Sequence, residues 1–279
     1  GFIIPDIVLF INGIPVGIVE CKSPSIIEPM QAGINQLLRY SNNRPEVGEE
    51  EGVPSLFLFN QVMVSTWFYE ARVAALGGSY DHYAEWKDTS PVPNADVLRE
   101  LGRTEGELRS QEVLVAGLLR PAHLLDVIRN FVLFTEDNGR LIKLVARYQQ
   151  FRAVYNAVNR LLTGQTRIET GIEDKRGGVI WHTQGSGKSI TMVFLVRKMR
   201  TIPHLRAFKV VLVTDRTSLE RQLKETARLT GETIRPSNDD RRPNEAATDR
   251  VKRILSEQGP DLVFCMIQKH GDREGDVEV

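Results

Sequence analysis

Apolar runs separated by turn signals open the chain. Residues 7–11 (Ile-Val-Leu-Phe-Ile), 16–19, 55–59 and 62–65 are short, continuous and rich in β-branched or aromatic side chains, which predicts strands. Asn12-Gly13 sits between the first two and marks a hairpin. The spacing then changes: Met30, Ile34, Leu37, Leu38 and Ser41 fall near one side at helical intervals, predicting a helix over 28–41. Glu46, Glu49, Glu50 and Glu51, beside Gly48 and Gly52, read as a solvated loop. Residues 88–112, with Pro91, Pro93 and mixed charges, read as a connector holding short helical pieces.

Pro121 starts the next helix, in which Leu124, Leu125, Ile128 and Phe131 recur at helical spacing. Another helix is predicted over 148–162 and stops at Gly164. Beyond it the pattern becomes strand 178–181, glycine-rich loop 183–187, helix to Arg200, strand 210–214, helix 218–229 and strand 262–267. Such alternation means βαβ units and a parallel sheet. The 279 residues are about twice the commonest domain size. Two domains are therefore expected, with a boundary near 135–147 and no internal repeat.

Composition changes this picture little. Lysine plus arginine and aspartate plus glutamate each total 36, and 41% hydrophobic with 26% charged residues is an ordinary globular balance. Neutrality argues against a histone-like binder but hides a local excess of nine Lys/Arg over three Asp/Glu between Arg197 and Arg228. On charge alone that stretch reads first as a solvated helix face. No apolar run approaches the roughly 18 residues that cross a bilayer. Cys21 and Cys265 lie far apart in apolar runs and are expected as small buried hydrophobes in a reducing, cytoplasmic setting. The start at Gly1, without methionine, and the weakly patterned 271–279 lead us to expect a piece of a longer protein.

The most specific local feature is His182-Thr183-Gln184-Gly185-Ser186-Gly187-Lys188-Ser189, expected to follow a buried strand and open a helix. Gly185 and Gly187 let backbone N–H groups approach phosphate oxygens, and the helix N-terminus adds a favourable dipole. Lys188 is placed to reach β/γ-phosphates and Ser189 to ligate Mg²⁺. The first glycine usual in such loops is His182 here.

A second constellation lies near the N-terminus. Alternation along a strand puts Glu20 and Lys22 on one face and turns Cys21 to the other, toward a core. Asp6 joins them only in one register. A plain two-residue Asn12-Gly13 turn sets Asp6 opposite Val19, whereas an odd-length loop or a bulge sets it opposite Glu20. The chemistry predicts the odd loop or the bulge. Two carboxylates with an adjacent lysine suit Mg²⁺-dependent phosphodiester hydrolysis, Asp6 and Glu20 as ligands and Lys22 positioning water or balancing charge. Gln36 and Tyr40, one helical turn apart, are able to point together toward the sheet.

Pro5-Asp6 with Glu20-Cys21-Lys22 and Gln36-x-x-x-Tyr40 resembles a RecB-like PD-(D/E)xK nuclease. Residues 181–189 (Trp-His-Thr-Gln-Gly-Ser-Gly-Lys-Ser) resemble the phosphate loop of type I restriction enzyme motor subunits, which carry a nuclease domain ahead of two RecA-like superfamily 2 helicase domains. Asn130-Phe131-Val132-Leu133-Phe134 and Arg147-Tyr148-Gln149-Gln150 are similar too, so the resemblance spans essentially the whole chain. The fold it implies is α/β. A PD-(D/E)xK nuclease domain, a mixed sheet with flanking helices, would occupy 1–140, and a partial RecA-like parallel-sheet P-loop domain 141–279.

The resemblance implies that Asp6, Glu20 and Lys22 form the nuclease centre, supported by Gln36 and Tyr40. It implies that Gln150, or alternatively its neighbour Gln149, recognises adenine, and that Thr183, Gly185, Ser186, Gly187, Lys188 and Ser189 bind ATP with Mg²⁺. Val213-Thr214-Asp215-Arg216 with Leu219 and Gln222 resembles helicase motif Ia, and Ile267-Gln268-Lys269 a later motor element. The implied parent translocates on and cuts double-stranded DNA, with specificity and methyltransferase subunits as partners and no membrane. No acidic Asp-Glu-Ala-His type motif follows Lys269, so efficient ATP hydrolysis is not expected of this chain alone. A repair helicase–nuclease of the RecB type and a non-catalytic DNA- and nucleotide-binding module remain the alternatives.

Overall fold

The computed structural model describes residues 2–44, 47, 51–137, 140–214, 224–229 and 231–266. The chain divides into two compact units, Gly1–Tyr155 and Asn156–Val279.

In the first unit β1 (Ile7–Ile11) and β2 (Ile14–Lys22) form an antiparallel hairpin. Its two-residue turn has Asn12 at φ 49 and Gly13 at φ 81, the positive values that let a tight turn follow the twist of the strands. The register does not stay simple. Ile11 pairs with Ile14 and Phe10 with Pro15, but Leu9 pairs with Gly17 and Ile7 with Val19. One extra residue, Val16, is accommodated in β2, so the predicted bulge is present and the next step of the ladder sets Asp6 opposite Glu20.

Helix α1 (Pro29–Tyr40) carries the chain from β2 to β3 (Val62–Trp67), which runs parallel to β2. Pro29 suits the first helical position because its missing N–H would be unpaired there anyway. Met30, Ile34, Leu37 and Leu38 form the buried stripe, packed with Ile18, Met63, Phe57 and Tyr83. Strands β4 (Glu70–Ala74) and β5 (Ala84–Glu85) complete a mixed sheet in the order β1-β2-β3-β4-β5.

The strand expected at 55–59 is not formed. Pro54–Phe57 is a 3₁₀ turn with proline at its start, Phe57 is driven into the core, and Leu58 and Phe59 are exposed. Pro54, at the start of the run, has no N–H to give a ladder and its fixed φ suits the first position of a helical turn. Cys21 also departs from expectation: it is exposed, because it ends β2 on the side away from α1, whereas Cys265 is buried.

The connector contains α2 (Asn94–Glu100) and α3 (Ser110–Leu114), followed by α4 (Pro121–Asn130), the hairpin β6 (Val132–Asp137) and β7 (Arg140–Val145), and α5 (Tyr148–Thr163). Leu124, Val127 and Phe131 face the interior, but Leu125 is exposed, one position off the stripe. Phe131, Phe151 and Tyr155 stack into an aromatic cluster, Phe151 and Tyr155 with ring centroids 4.5 Å apart.

The second unit holds a short helix α6 (Arg167–Thr170), α7 (Lys188–Arg200) and a three-stranded parallel sheet of β8 (Val210–Thr214), β9 (Ile234–Arg235) and β10 (Leu262–Met266), in the order β8-β10-β9. Alternation along β10 buries both faces. Leu262 and Phe264 pack with Val196 of α7, while Val263 and Cys265 pack with Val251 and Ile254 of helix Ala247–Ser256. Residues 178–181, expected as a buried strand, have no ladder partner among the described residues, and Val179 and Trp181 are 93% and 78% exposed. An apolar segment becomes a parallel strand only when neighbours pair its backbone and cover both faces, and neither condition is met. No helix among the described residues is long and apolar enough to cross a membrane.

Candidate functional site

The end of β2 gathers the first constellation. Because Glu20 and Lys22 share a face, the Lys22 ammonium donates to Glu20 Oε1 at 2.6 Å and to Gln36 Oε1 of α1 at 2.5 Å. The Gln36 amide donates to the Tyr40 hydroxyl, and that hydroxyl donates to the Ile4 carbonyl at 2.8 Å. Asp6 Oδ2 accepts the Cys21 backbone N–H at 2.7 Å, fixing the carboxylate across the hairpin. Asp6, Glu20, Lys22, Gln36 and Tyr40 are thus brought together by one sheet end and one helix face.

Glu20 is 1% exposed, and its Oε2 is a buried oxygen with no hydrogen-bond partner. Burial pushes its carboxyl above the usual range; Lys22 opposes this, and the neighbouring Asp6 charge adds to it. A buried, unpartnered carboxylate oxygen beside a second carboxylate is the donor set a hard divalent cation takes. No group of three or more His, Cys, Asp or Glu able to hold a metal ion occurs among the described residues. A cavity of about 680 Å³ between β4, β5 and β7 contains none of these five residues. Asp6 is exposed at the sheet end, and Glu20 lies buried on the strand beside it.

Sequence reasoning missed two supporting features. Ser65 pairs with Glu20 across β2–β3, is fully buried, and donates to the Met30 carbonyl at 3.2 Å. Gly33 brings α1 down onto it: a Cβ at Gly33 would lie 2.2 Å from Ser65 Oγ. A glycine inside an amphipathic helix is the only sequence signal of that approach.

In the second unit Gly185 and Gly187 have φ 77 and 79, and Gly187 caps α7, which begins at Lys188. Ser186 Oγ donates to the Thr183 carbonyl at 2.7 Å, while the Lys188 ammonium donates to the carbonyls of His182 and Thr183 at 2.8 and 3.0 Å. The loop therefore folds around its lysine, and the N-cap residue of α7 is a glycine, with no side chain of its own to cap the helix. Glycine-shaped backbone, helix N-terminus, ammonium and the Ser189 hydroxyl form a donor set that fits a polyphosphate with its cation.

Of the two glutamines weighed for base recognition, Gln150 is buried and its Oε1 accepts the Arg147 backbone N–H at 2.9 Å, capping α5. Gln149 Oε1 is buried with no hydrogen-bond partner. Two cations of the basic stretch are already engaged: Arg200 with Glu232 at 2.6 Å and Lys209 with Asp261 at 3.1 Å. Asp215, Arg216, Leu219, Gln222, Ile267, Gln268 and Lys269 lie outside the described residues, as do Glu46, Glu49 and Glu50 of the acidic loop.

Comparison with known proteins finds two families along the chain. Residues 2–81 match the type I restriction enzyme R protein N terminus, and residues 149–279 match the SWI2/SNF2 ATPase family. The type I restriction enzyme HindI endonuclease subunit of Haemophilus influenzae is 37% identical over 226 residues, covering 80% of this chain and 19% of the relative. A provisionally named type I restriction enzyme MjaIXP endonuclease subunit of Methanocaldococcus jannaschii is 27% identical over 279 residues, covering 98% of this chain and 25% of the relative. The chain thus spans a fifth to a quarter of the length of these relatives. With an R-protein N-terminal region followed by an SWI2/SNF2 ATPase region, and endonuclease subunits similar to it over most of its length, the chain belongs to the type I restriction enzyme R subunits.

Proposed function

We propose that the chain supplies a Mg²⁺-dependent DNA-cleaving centre and the nucleotide-binding part of an ATP-driven DNA translocase in a cytoplasmic type I restriction complex. Specificity and methyltransferase subunits would supply site recognition. The PD-(D/E)xK domain with its connector would occupy 1–140 and the first part of a RecA-like motor domain 141–279. The observation that carries the reading is the convergence of Asp6, Glu20, Lys22, Gln36 and Tyr40, with an orphaned Glu20 oxygen, in the region matched to the R-protein N terminus.

Asp6 and Glu20 would hold Mg²⁺, which when bound polarises the phosphodiester and acidifies water. Lys22, held between Glu20 and Gln36, presents its ammonium beside the carboxylates. There it orients a water and offsets negative charge as a phosphate approaches. Gln36 and Tyr40 keep that ammonium in place. In the second unit the amides from Gly185 to Gly187 and the Lys188 ammonium would bind the phosphates of ATP, with Thr183 and Ser186 shaping the loop and Ser189 on the cation. Gln149, whose amide oxygen is unpartnered, is the better adenine reader, and Gln150 serves the helix cap.

The test is Lys22→Ala in the full-length subunit within its complex. Cleavage of plasmid DNA should disappear while DNA-stimulated ATP hydrolysis persists. Loss of both activities, or retention of cleavage, refutes a separate nuclease centre at Lys22.

A further inference from the structure

The β3–β4 turn contradicts its own turn chemistry. Two-residue hairpin turns favour positive φ and therefore Asn or Gly, as Asn12-Gly13 shows between β1 and β2. The β3–β4 hairpin has the same length, with Trp67 paired to Glu70, yet its turn residues are Phe68 and Tyr69 and neither lies at positive φ. These rings are 55% and 69% exposed. Two large aromatic side chains at a turn that prefers small polar ones cost free energy in water and call for a contact outside the hairpin.

The turn sits beside the carboxylate–lysine centre. Lys22 pairs with Trp67, and paired residues on adjacent strands share a face, so Trp67 lies beside Lys22 at the sheet end and the turn extends just past it. The ring of Tyr69 stands edge-on to Trp67 with centroids 5.0 Å apart, and Phe68 stands edge-on to Tyr69 at 4.8 Å. The Arg109 guanidinium lies 5.8 Å from the centre of the Phe68 ring. The turn is also braced. Thr66 Oγ1 donates to the Glu70 carbonyl at 3.0 Å, the Gln111 amide donates to the Trp67 carbonyl, and the Ala71 N–H donates to Ser110 Oγ at 2.9 Å.

A rigid pair of exposed rings with a guanidinium alongside, next to two carboxylates and a lysine, matches DNA: π faces for a base, positive charge for the backbone. We propose that Phe68 and Tyr69 form an aromatic wedge that stacks on a base next to the scissile phosphate, positioning the strand over Asp6 and Glu20. This rests on the reading of that centre as a nuclease. The two are positioning residues, since the chemistry remains with Asp6, Glu20 and Lys22.

The test uses the full-length subunit in its assembled complex. Phe68→Ala/Tyr69→Ala should lower plasmid cleavage about ten-fold or more, the scale of a lost base–aromatic stack, with ATP hydrolysis unchanged, and Tyr69→Phe should retain cleavage. A photo-reactive benzoylphenylalanine in place of Tyr69, in a Lys22→Ala background that leaves DNA intact, should crosslink to DNA. The same probe at exposed Leu125 should not. Unchanged cleavage by the double variant, or crosslinking to partner subunits without DNA, overturns the wedge while leaving the nuclease reading intact. Persistent cleavage by Lys22→Ala overturns the nuclease reading and the wedge with it.

Discussion

The Tyr40 hydroxyl donates to the Ile4 carbonyl at 2.8 Å, tying the last turn of α1 to the backbone two residues ahead of Asp6. The same hydroxyl accepts from Gln36, which in turn accepts from Lys22, so one oxygen links both carboxylate strands to the helix. Tyr40→Phe removes it and takes a hydrogen-bond partner from the part-buried Gln36 amide and from the Ile4 carbonyl, at a cost of about 1 kcal/mol. The variant should unfold at a lower temperature and cut DNA at least ten-fold more slowly. ATP hydrolysis should be unaffected. Wild-type cleavage by Tyr40→Phe would show that Asp6 does not depend on this tether.

Gly33 and Ser65 set how closely α1 lies on the sheet. Alanine in a helix is favoured over glycine by about 1 kcal/mol, but a Cβ 2.2 Å from Ser65 Oγ forces a shift in a fully buried contact. Overpacking of this kind costs about 1–3 kcal/mol and here outweighs the propensity gain. Gly33→Ala should therefore destabilise, and cleavage should fall because a shift of α1 away from Ser65 moves Gln36, the helix partner of the Lys22 ammonium. In a Ser65→Ala background the nearest Ser65 atom becomes its Cβ at 3.3 Å, and the penalty should largely disappear. A double-mutant cycle by thermal unfolding measures the coupling.

Much of this centre is legible in the sequence, because its logic is local. Alternation alone pairs Glu20 with Lys22, helical spacing pairs Gln36 with Tyr40, and the need to bring Asp6 opposite Glu20 calls for an odd-length loop or a bulge, of which the fold uses a bulge, at Val16. What was illegible depends on neighbours. Residues 55–59 and 178–181 have the apolar content of strands but no ladder partner, one beside Pro54 and the other with both faces uncovered. Cys21 lies in an apolar run yet faces solvent, because only the α1 side of β2 is covered at that end. The Phe68–Tyr69 turn carries no Asn, Gly or Pro to mark it.

Asp240 makes the second unit sensitive to acid. Burial pushes its carboxyl up, but Arg235 at 2.5 Å and the Ser237 amide and hydroxyl at 2.6 and 3.1 Å more than offset this and bring it down to about 2. An unfolded aspartate titrates near 4. The network's stabilisation is therefore complete above that value and lost as pH falls from about 4 toward 2. Wild type should lose on the order of 1 kcal/mol across this window from the Asp240 network. Asp240→Asn should be less stable at neutral pH and show a correspondingly shallower acid limb. Denaturant titrations at pH 4.5 and 2.5, compared between the two proteins, isolate the contribution of Asp240; parallel curves would contradict it.

Gln149 and Gln150 are adjacent, yet their amides meet different demands. Gln150 Oε1 is committed to the Arg147 N–H at the start of α5, the position where a side-chain acceptor is worth about 1 kcal/mol. Gln149 Oε1 is buried without a partner, a cost that persists only if something else supplies a donor. An adenine offers an exocyclic amine as donor and a ring nitrogen as acceptor, which an amide matches at both ends. Gln149→Ala in the full-length subunit should therefore raise KM for ATP about ten-fold and erode the preference for ATP over GTP, with the melting temperature little changed. Gln150→Ala should do the reverse, lowering the melting temperature by a few degrees while keeping nucleotide preference. Steady-state kinetics with both nucleotides, set beside melting curves, separates the two roles. A loss of ATP preference confined to Gln150→Ala would reassign base recognition to the capping residue.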